Sequence, residues 1–534
     1  MQDNRNGQEG NEENDGLYAA LTRYCEGDHY PYHMPGHKRN REAGPMASYY
    51  GIDITEIDGF DDLHHAEGIL QEAQERANKL YGGRGTETFY LINGSTCGVL
   101  ASIMAAAQRG EKILAARNCH RSVYHAAILQ ELELQYCFVP VIEEYGICGG
   151  INAKEIDRLL KQHADCRAVV ITSPTYEGLI SDVRAAADVV HAHDKILIVD
   201  EAHGAHLGLD ESAPHGAVAC GADLVIHSLH KTLPAMTQTA LLHVQGNRVD
   251  RDRLRRYLRM LQTSSPSYVL MASMDSCIRY VESHGAERYA FMRQQYDIFC
   301  EKIRKCKHIW IGGITCETTA GNSKNRADGA ERSRTAEAYY AAGWDIGKLL
   351  IYTRDGSLCG RQLYDLLREE YHLQMEMAAE KYVLAIMTIM DTEEGWQRLA
   401  AALRQIDDRI ETGTMIGPGK IPGEESGMER KAAAGIADES VVQYGKENAG
   451  GKKSTDVTMA QAYLGNREPI SLAECVGKVA ADFVHLYPPG IPLISPGEVV
   501  GEEMVERIGK YRSLGLQVQG VTADGKIMIL QCIV

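Results

Sequence analysis

No stretch of this sequence approaches the ~20 consecutive apolar residues that a bilayer-crossing helix needs, so a membrane is not an expected partner. Positive charge is short as well: 56 Lys and Arg against 73 Asp and Glu leave −17 at pH 7. Nucleic acid and anionic membrane surfaces reward clustered cations, and neither is expected to bind. The fourteen cysteines, Cys25 to Cys532, include no CxxC pair and no regular spacing. They read as reduced thiols rather than a disulfide framework or a zinc site, and no metal is expected. The opening MQDNRNGQEGNEENDG lacks the basic start and apolar centre of a secretory signal. Residues 1–16 are expected to be a disordered lead-in, and the protein to be cytoplasmic.

At 534 residues the chain exceeds a single simple core, and its 44% hydrophobic and 24% charged residues are those of an ordinary globular protein. Short apolar runs alternate with helical stretches between Glu111 and Val225, which predicts an α/β fold with a mostly parallel sheet covered on both faces. Strands are expected at Thr88–Ile92, Ile113–Leu114, Cys137–Val141, Ala168–Thr172 and Ile196–Val199, with a further run at Leu224–Ile226. An amphipathic helix is expected over Ile69–Tyr81, closed by Gly82-Gly83. The loop Asp53–Gly68 is polar and aperiodic, which fits the wall of a binding site. Residues 311–412 change character and read as a second, α+β domain. Gly413–Thr455 has few large apolar residues and reads as a linker or insertion, and Thr318–Arg334 as a polar insertion. Residues 456–534 recover apolar content and read as a small C-terminal domain.

Polar clusters recur where strands end, and in open α/β sheets ligands are held at those ends. The run Ile196–Val199 leads into Asp200, Glu201, Ala202 and His203, and Leu224–Ile226 leads to Ser228, His230 and Lys231. A lysine that can form a Schiff base and an acid that keeps a pyridine nitrogen protonated are what a pyridoxal phosphate site requires. Asn93-Gly94-Ser95-Thr96 joins a short strand to a helix start, where free N–H groups and the helix dipole attract an anion such as a phosphate.

The motifs NGST, NCHRS, SPTYEG, IVDEAHGAH, SLHKT, LQTSSPSY, YVLAIMTIMDTEE and YPPGIPLISPGE occur here in an order similar to that of the bacterial ornithine/lysine/arginine decarboxylases, in their short form. The resemblance covers nearly the whole chain outside the lead-in and the linker. It implies a fold type I, aspartate aminotransferase-like large domain over residues 17–310, followed by the small α+β domain and the C-terminal domain. It implies α-decarboxylation of a basic amino acid, arginine first with lysine or ornithine possible, to a polyamine-type amine and CO₂. Pyridoxal 5'-phosphate is the implied cofactor, and a homodimer or larger homo-oligomer with shared sites the implied assembly.

Residue by residue, the resemblance gives Lys231 the covalent anchor, Asp200 the ring nitrogen and His120 the ring face. His203 orients the aspartate or packs near the ring. Ser95, Thr96, Ser228 and His230 bind phosphate, with Thr263 supplied by a neighbouring subunit. His230 and Lys231 are both candidates for returning a proton to Cα. For the cationic substrate tail the candidate carboxylates are Glu498, Asp61, Asp62 and Glu376. Two rival readings are an aminotransferase or β-eliminating lyase on the same fold, which Arg354 as a carboxylate ligand would favour, and a non-catalytic relative.

Overall fold

A computed structural model describes residues 16–40, 42, 44–83, 85–210, 213–312, 339–414, 457–487 and 490–531. Residues 1–15 of the expected lead-in, the polar stretch 318–334 and residues 415–455 of the expected linker lie outside the described residues. Among the described residues no helix is long and apolar enough to cross a membrane, and no group of His, Cys, Asp and Glu is arranged to hold a metal ion.

Seven strands build the main sheet: β1 (Thr86–Leu91), β2 (Lys112–Ala116), β3 (Glu133–Cys137), β4 (Cys166–Thr172), β5 (Ile196–Asp200), β6 (Leu224–Ser228) and β7 (Ala240–Gln245). Their order is β1-β7-β6-β5-β4-β2-β3. The pairs β2/β3 and β5/β6 are parallel, whereas β7 runs antiparallel to both β1 and β6. The α/β class is as expected, and both antiparallel pairings involve β7. Strand β7, ALLHVQ, was not anticipated, because five of its six residues are buried and a strand covered on both faces shows no alternation. The expected strand Cys137–Val141 lies instead at Glu133–Cys137. Pro140 falls inside the expected run, and a proline cannot donate to a ladder.

The chain divides into two compact units. The first comprises Met1–Gln108, Arg167–Val169 and Val190–Ala290. Its Ile69–Tyr81 helix forms as expected, burying Leu70, Ala73 and Ala77 on one face, with Glu72 in the first turn and Lys79 in the last to complement the dipole. The Gly94–Ala106 helix lies close on the strands: a Cβ on Gly98 would stand 2.6 Å from Leu91 Cδ1, so a larger residue there would need that side chain to shift.

The second unit comprises Arg109–Cys166, Val170–Val189 and Phe291–Val534. A four-stranded antiparallel sheet orders Ile309–Gly312, Lys348–Thr353, Tyr382–Ile386 and Met377–Ala378, with Lys348–Thr353 wholly buried. Val484–Leu486 lies between Pro492–Ile494 and Val518–Gln519. Val484, Ile494, Met504, Ile508, Ile527 and Ile529 close a core beneath them, which the Glu502–Ser513 helix covers with one face.

Candidate active site

Strands β5 and β6 are parallel neighbours with Asp200 opposite Ile226, so their last residues, Asp200 and Ser228, emerge at the same sheet edge. One turn of helix, Leu229–Thr232, follows Ser228 directly and carries Lys231. Lys231 Nζ stands 3.2 Å from His203 Nε2. An ammonium only donates, so Nε2 accepts and the proton of a neutral His203 ring sits on Nδ1. Asp200 is only 5% exposed and accepts from the Ala202 N–H at 3.2 Å. Burial pushes its carboxyl above the usual range, and the Lys231 charge pulls it part of the way back. The structure thus brings Asp200, His203 and Lys231 together within the first unit.

Ser228 is fully buried, and its Oγ has no hydrogen-bond partner among the described residues. His230 Nδ1 donates to the Thr239 carbonyl at 2.9 Å, which leaves Nε2 as an acceptor. Burial lowers the His230 pKa, the Thr239 bond opposes this, and the Lys231 charge adds to the fall. Ser95 and Thr96 open the Gly94–Ala106 helix, half-buried and exposed respectively. Gly94 takes φ +76°, a left-handed conformation suited to glycine, and Asn93 makes no side-chain cap, leaving the first-turn N–H groups uncapped by it. Asn93 Oδ1 instead accepts from Thr263 N at 3.4 Å, and the Thr263 carbonyl accepts from His64 Nε2 at 2.9 Å. Thr263 itself is exposed.

Asp61 and Asp62 organise the Asp53–Gly68 loop that carries His64. Asp61 accepts from the N–H groups of Asp62, Glu67, Gly68 and Leu70; burial alone would raise its pKa, and these donors outweigh it and hold it low. Asp62 accepts from His64 N at 2.8 Å. Parts of this loop do wall a cleft of about 820 Å³ in the first unit, with Leu63, His64 and Ala66 facing Arg255, Leu258 and Gln262.

Three candidates belong to the second unit. His120 is the N-cap of the Arg121–Leu129 helix: its Nδ1 accepts from Ser122 N at 3.2 Å, so a neutral ring carries its proton on Nε2. Gly490 lies close by, with its Cβ position 3.6 Å from His120 Nε2. Glu376 is exposed and accepts from the Tyr176 hydroxyl. Glu498 accepts from Arg117 Nη2 at 3.3 Å with both oxygens and from Ser495 N at 2.9 Å. Arg117, 1% exposed, also donates to the Pro492 carbonyl at 2.8 Å. Arg354 stacks over the Trp310 ring at 4.2 Å.

Arg117 went unnoticed in the sequence because an arginine after an apolar strand reads as a solvated cation. Removing the partner of so deeply buried a charge is costly, so Glu498→Ala is expected to destabilise the fold by about 3–5 kcal/mol, measured as the urea unfolding midpoint. An unchanged midpoint with a raised KM would assign Glu498 to the substrate instead.

A second expectation concerns acid. Burial lowers the pKa of His125, His230, His243 and His485, most strongly for His243. A histidine whose folded pKa lies below the unfolded value of 6.5 binds fewer protons folded than unfolded, so stability is full above that value and is lost as pH falls below it. The urea midpoint of the cofactor-free protein should therefore drop between pH 7.5 and 5.5. A flat midpoint across that window would contradict this.

A family model described as Orn/Lys/Arg decarboxylase, major domain, matches residues 15–311, and one described as Orn/Lys/Arg decarboxylase, C-terminal domain, matches residues 450–521. The chain is 32% identical to the uncharacterized protein YaaO of Bacillus subtilis, covering 94% of this chain and 95% of that one. It is 28% identical to an arginine decarboxylase of the same organism, over 94% and 95% of the two chains. Among solved structures, lysine decarboxylase A from Pseudomonas aeruginosa superposes with a TM-score of 0.76 at 20% identity, covering 98% of this chain and 81% of that one.

Proposed function

The chain belongs to the Orn/Lys/Arg decarboxylase family, and from that premise we propose that it removes the α-carboxylate of a basic amino acid, arginine first, using pyridoxal 5'-phosphate held by Lys231 and Asp200. The observation that carries this reading is the Lys231 amine 3.2 Å from His203 at the sheet edge that also presents the buried Asp200.

The residues present fit the cofactor. Asp200 is a desolvated acid whose ionised form lacks a strong local partner besides Lys231, and a protonated ring nitrogen offsets that desolvation. The partnerless buried hydroxyl of Ser228 and the uncapped first turn at Ser95 and Thr96 suit a phosphate. His230 and the Thr239 carbonyl brace the turn between them. His120 joins the set on its NCHRS motif. When bound, the cofactor supplies an electron sink for the bond that breaks.

The chain's own residues do the remainder. Lys231 would anchor the cofactor through its Nζ. His203, accepting at Nε2, holds the Lys231 amine in position. Because His230 commits its ring proton to Thr239 and burial disfavours a second one, it is poorly placed to donate at Cα. Lys231 is the better candidate for returning that proton. The exposed Thr263–Ser265 turn supports completion of the site by a second copy, hence a homodimer, and the protein is proposed to be cytoplasmic.

The test is direct. Purified protein loaded with pyridoxal phosphate is incubated separately with arginine, lysine and ornithine while CO₂ and the amine product are followed. Agmatine from arginine at the highest kcat/KM is expected. Faster turnover of lysine or ornithine would overturn the arginine assignment, and no amine from any of the three would sink the decarboxylase reading.

A further inference from the structure

Behind Asp200, on the other face of the sheet, runs a row of polar side chains that the reaction above does not use. Successive residues of a strand point to opposite faces, so Glu201 leaves β5 away from the side taken by Asp200. Glu201 Oε2 lies 2.7 Å from His227 Nε2, His227 Nδ1 lies 3.1 Å from His243 Nε2, and His243 Nδ1 lies 2.8 Å from Thr88 Oγ1. The registers explain the row. Thr88 stands opposite His243 on β1 and β7, and His243 stands opposite Val225, two residues from His227 on the same face of β6.

Three adjacent strands and the residue that follows a fourth, β5, thus contribute one link each, and every link is 4% exposed or less. Tyr81 lids the row, its ring 4.7 Å from His227 and 5.0 Å from His243, while its hydroxyl donates to the Ala205 carbonyl at 2.7 Å.

Apolar side chains in these positions would avoid the desolvation that four buried polar groups incur. Buried networks with every member bonded rigidify what they touch. This one touches the segment that begins at Asp200. The two Glu201 oxygens accept from Ala217 N at 3.0 and 2.9 Å, and the Glu201 carbonyl accepts from Gly204 N at 2.8 Å. Both ends of the stretch containing His203 are therefore tied to this one residue. Burial first, and the neighbouring His227 second, lower the pKa of His243 well below the usual imidazole value.

We propose that Glu201 and His227, backed by His243 and Thr88, are positioning residues that fix Asp200 and His203 from the sheet face away from the cofactor. The proposal rests on the decarboxylase reading for its activity readout. Glu201→Gln preserves shape and removes the charge. In the folded, cofactor-loaded protein it is expected to lower kcat roughly 10- to 100-fold, the range for outer partners of a reacting group, with KM within about twofold. His227→Gln should match it, and Thr88→Val, at the far end, should lower kcat only about threefold.

A readout independent of activity is the far-downfield imidazole N–H resonance in proton NMR of the cofactor-free protein. It is expected in the parent and lost in Glu201→Gln and His227→Gln. Kinetics within twofold of the parent in both variants would overturn the proposal, as would a kcat loss no greater than the loss of folded protein. If Glu201→Gln does not fold, His243→Gln and Thr88→Val take its place. Failure of all four to fold would make the row structural alone and end the proposal. A parent that decarboxylates none of the three amino acids would defeat the functional reading while leaving the NMR result to judge this one.

Discussion

Lys231→Ala is expected to abolish turnover, lowering kcat/KM on the order of 10⁴- to 10⁶-fold, the size of loss seen when a covalent group is removed from a concerted site. The fold should survive, because the turn that carries the lysine is held by its backbone. Leu229 N donates to the Thr239 carbonyl at 3.1 Å and Leu233 N to the Leu229 carbonyl at 2.8 Å, and neither bond involves the lysine side chain. The loss is therefore chemical. Added pyridoxal phosphate should no longer resist dialysis or be fixed to the protein by borohydride, while the cofactor-free variant stays folded, its urea midpoint lowered at neutral pH because Asp200 loses the Lys231 charge that offsets its burial. Borohydride fixation in the variant at the parent's stoichiometry would move the anchor to another lysine, and turnover within tenfold of the parent would remove Lys231 from the mechanism.

The second large effect is expected at Asp200, where activity and stability should move in opposite directions. Asp200→Asn keeps the shape and removes the charge. Because the acid is placed in advance against a group that must stay cationic, its removal should lower kcat roughly 10²- to 10³-fold. Stability has the other sign. Burial raises the folded pKa of Asp200 above its ordinary value of 3.8, so its ionised form weakens the cofactor-free fold at neutral pH; that penalty fades as pH falls through the raised folded pKa and is gone below 3.8. The cofactor-free variant should therefore unfold at a higher urea concentration than the parent at pH 7, with the gap closing near pH 3.5. A kcat within threefold of the parent would show that Asp200 does not hold the ring nitrogen. A variant less stable at pH 7 would show that the carboxylate already has adequate partners.

Much of the site's chemistry is legible in the residues because reactive groups at strand ends break a strong local pattern. Four apolar residues followed by Asp200, and three followed within five positions by Lys231, mark ends of buried strands, where a charged group is conspicuous. The Ile69–Tyr81 helix was readable for a similar reason: its apolar period, its charged ends and its closing glycines agree. His227 and His243 were not legible. Each sits inside an apolar run, in HS after LVI and in HVQ after ALL, and one polar residue within a covered strand carries no sign of what it faces. Arg117 was hidden in the same way, since the carboxylate and carbonyls that hold it lie more than 370 positions away in the chain.

By itself, then, the sequence determined the α/β class, the order of the motifs and the family they resemble, and it singled out the proposed lysine and aspartate, because these rest on local period and on residue chemistry. Only the tertiary structure decided which carboxylates are already engaged, which way His203 and His230 present their nitrogens, and that Glu201 points away from Asp200 into a chain of histidines. Those facts depend on strand register and on burial. A shift of a single residue in register would turn every one of these side chains to the other face, and nothing local in the sequence records which face the fold has chosen.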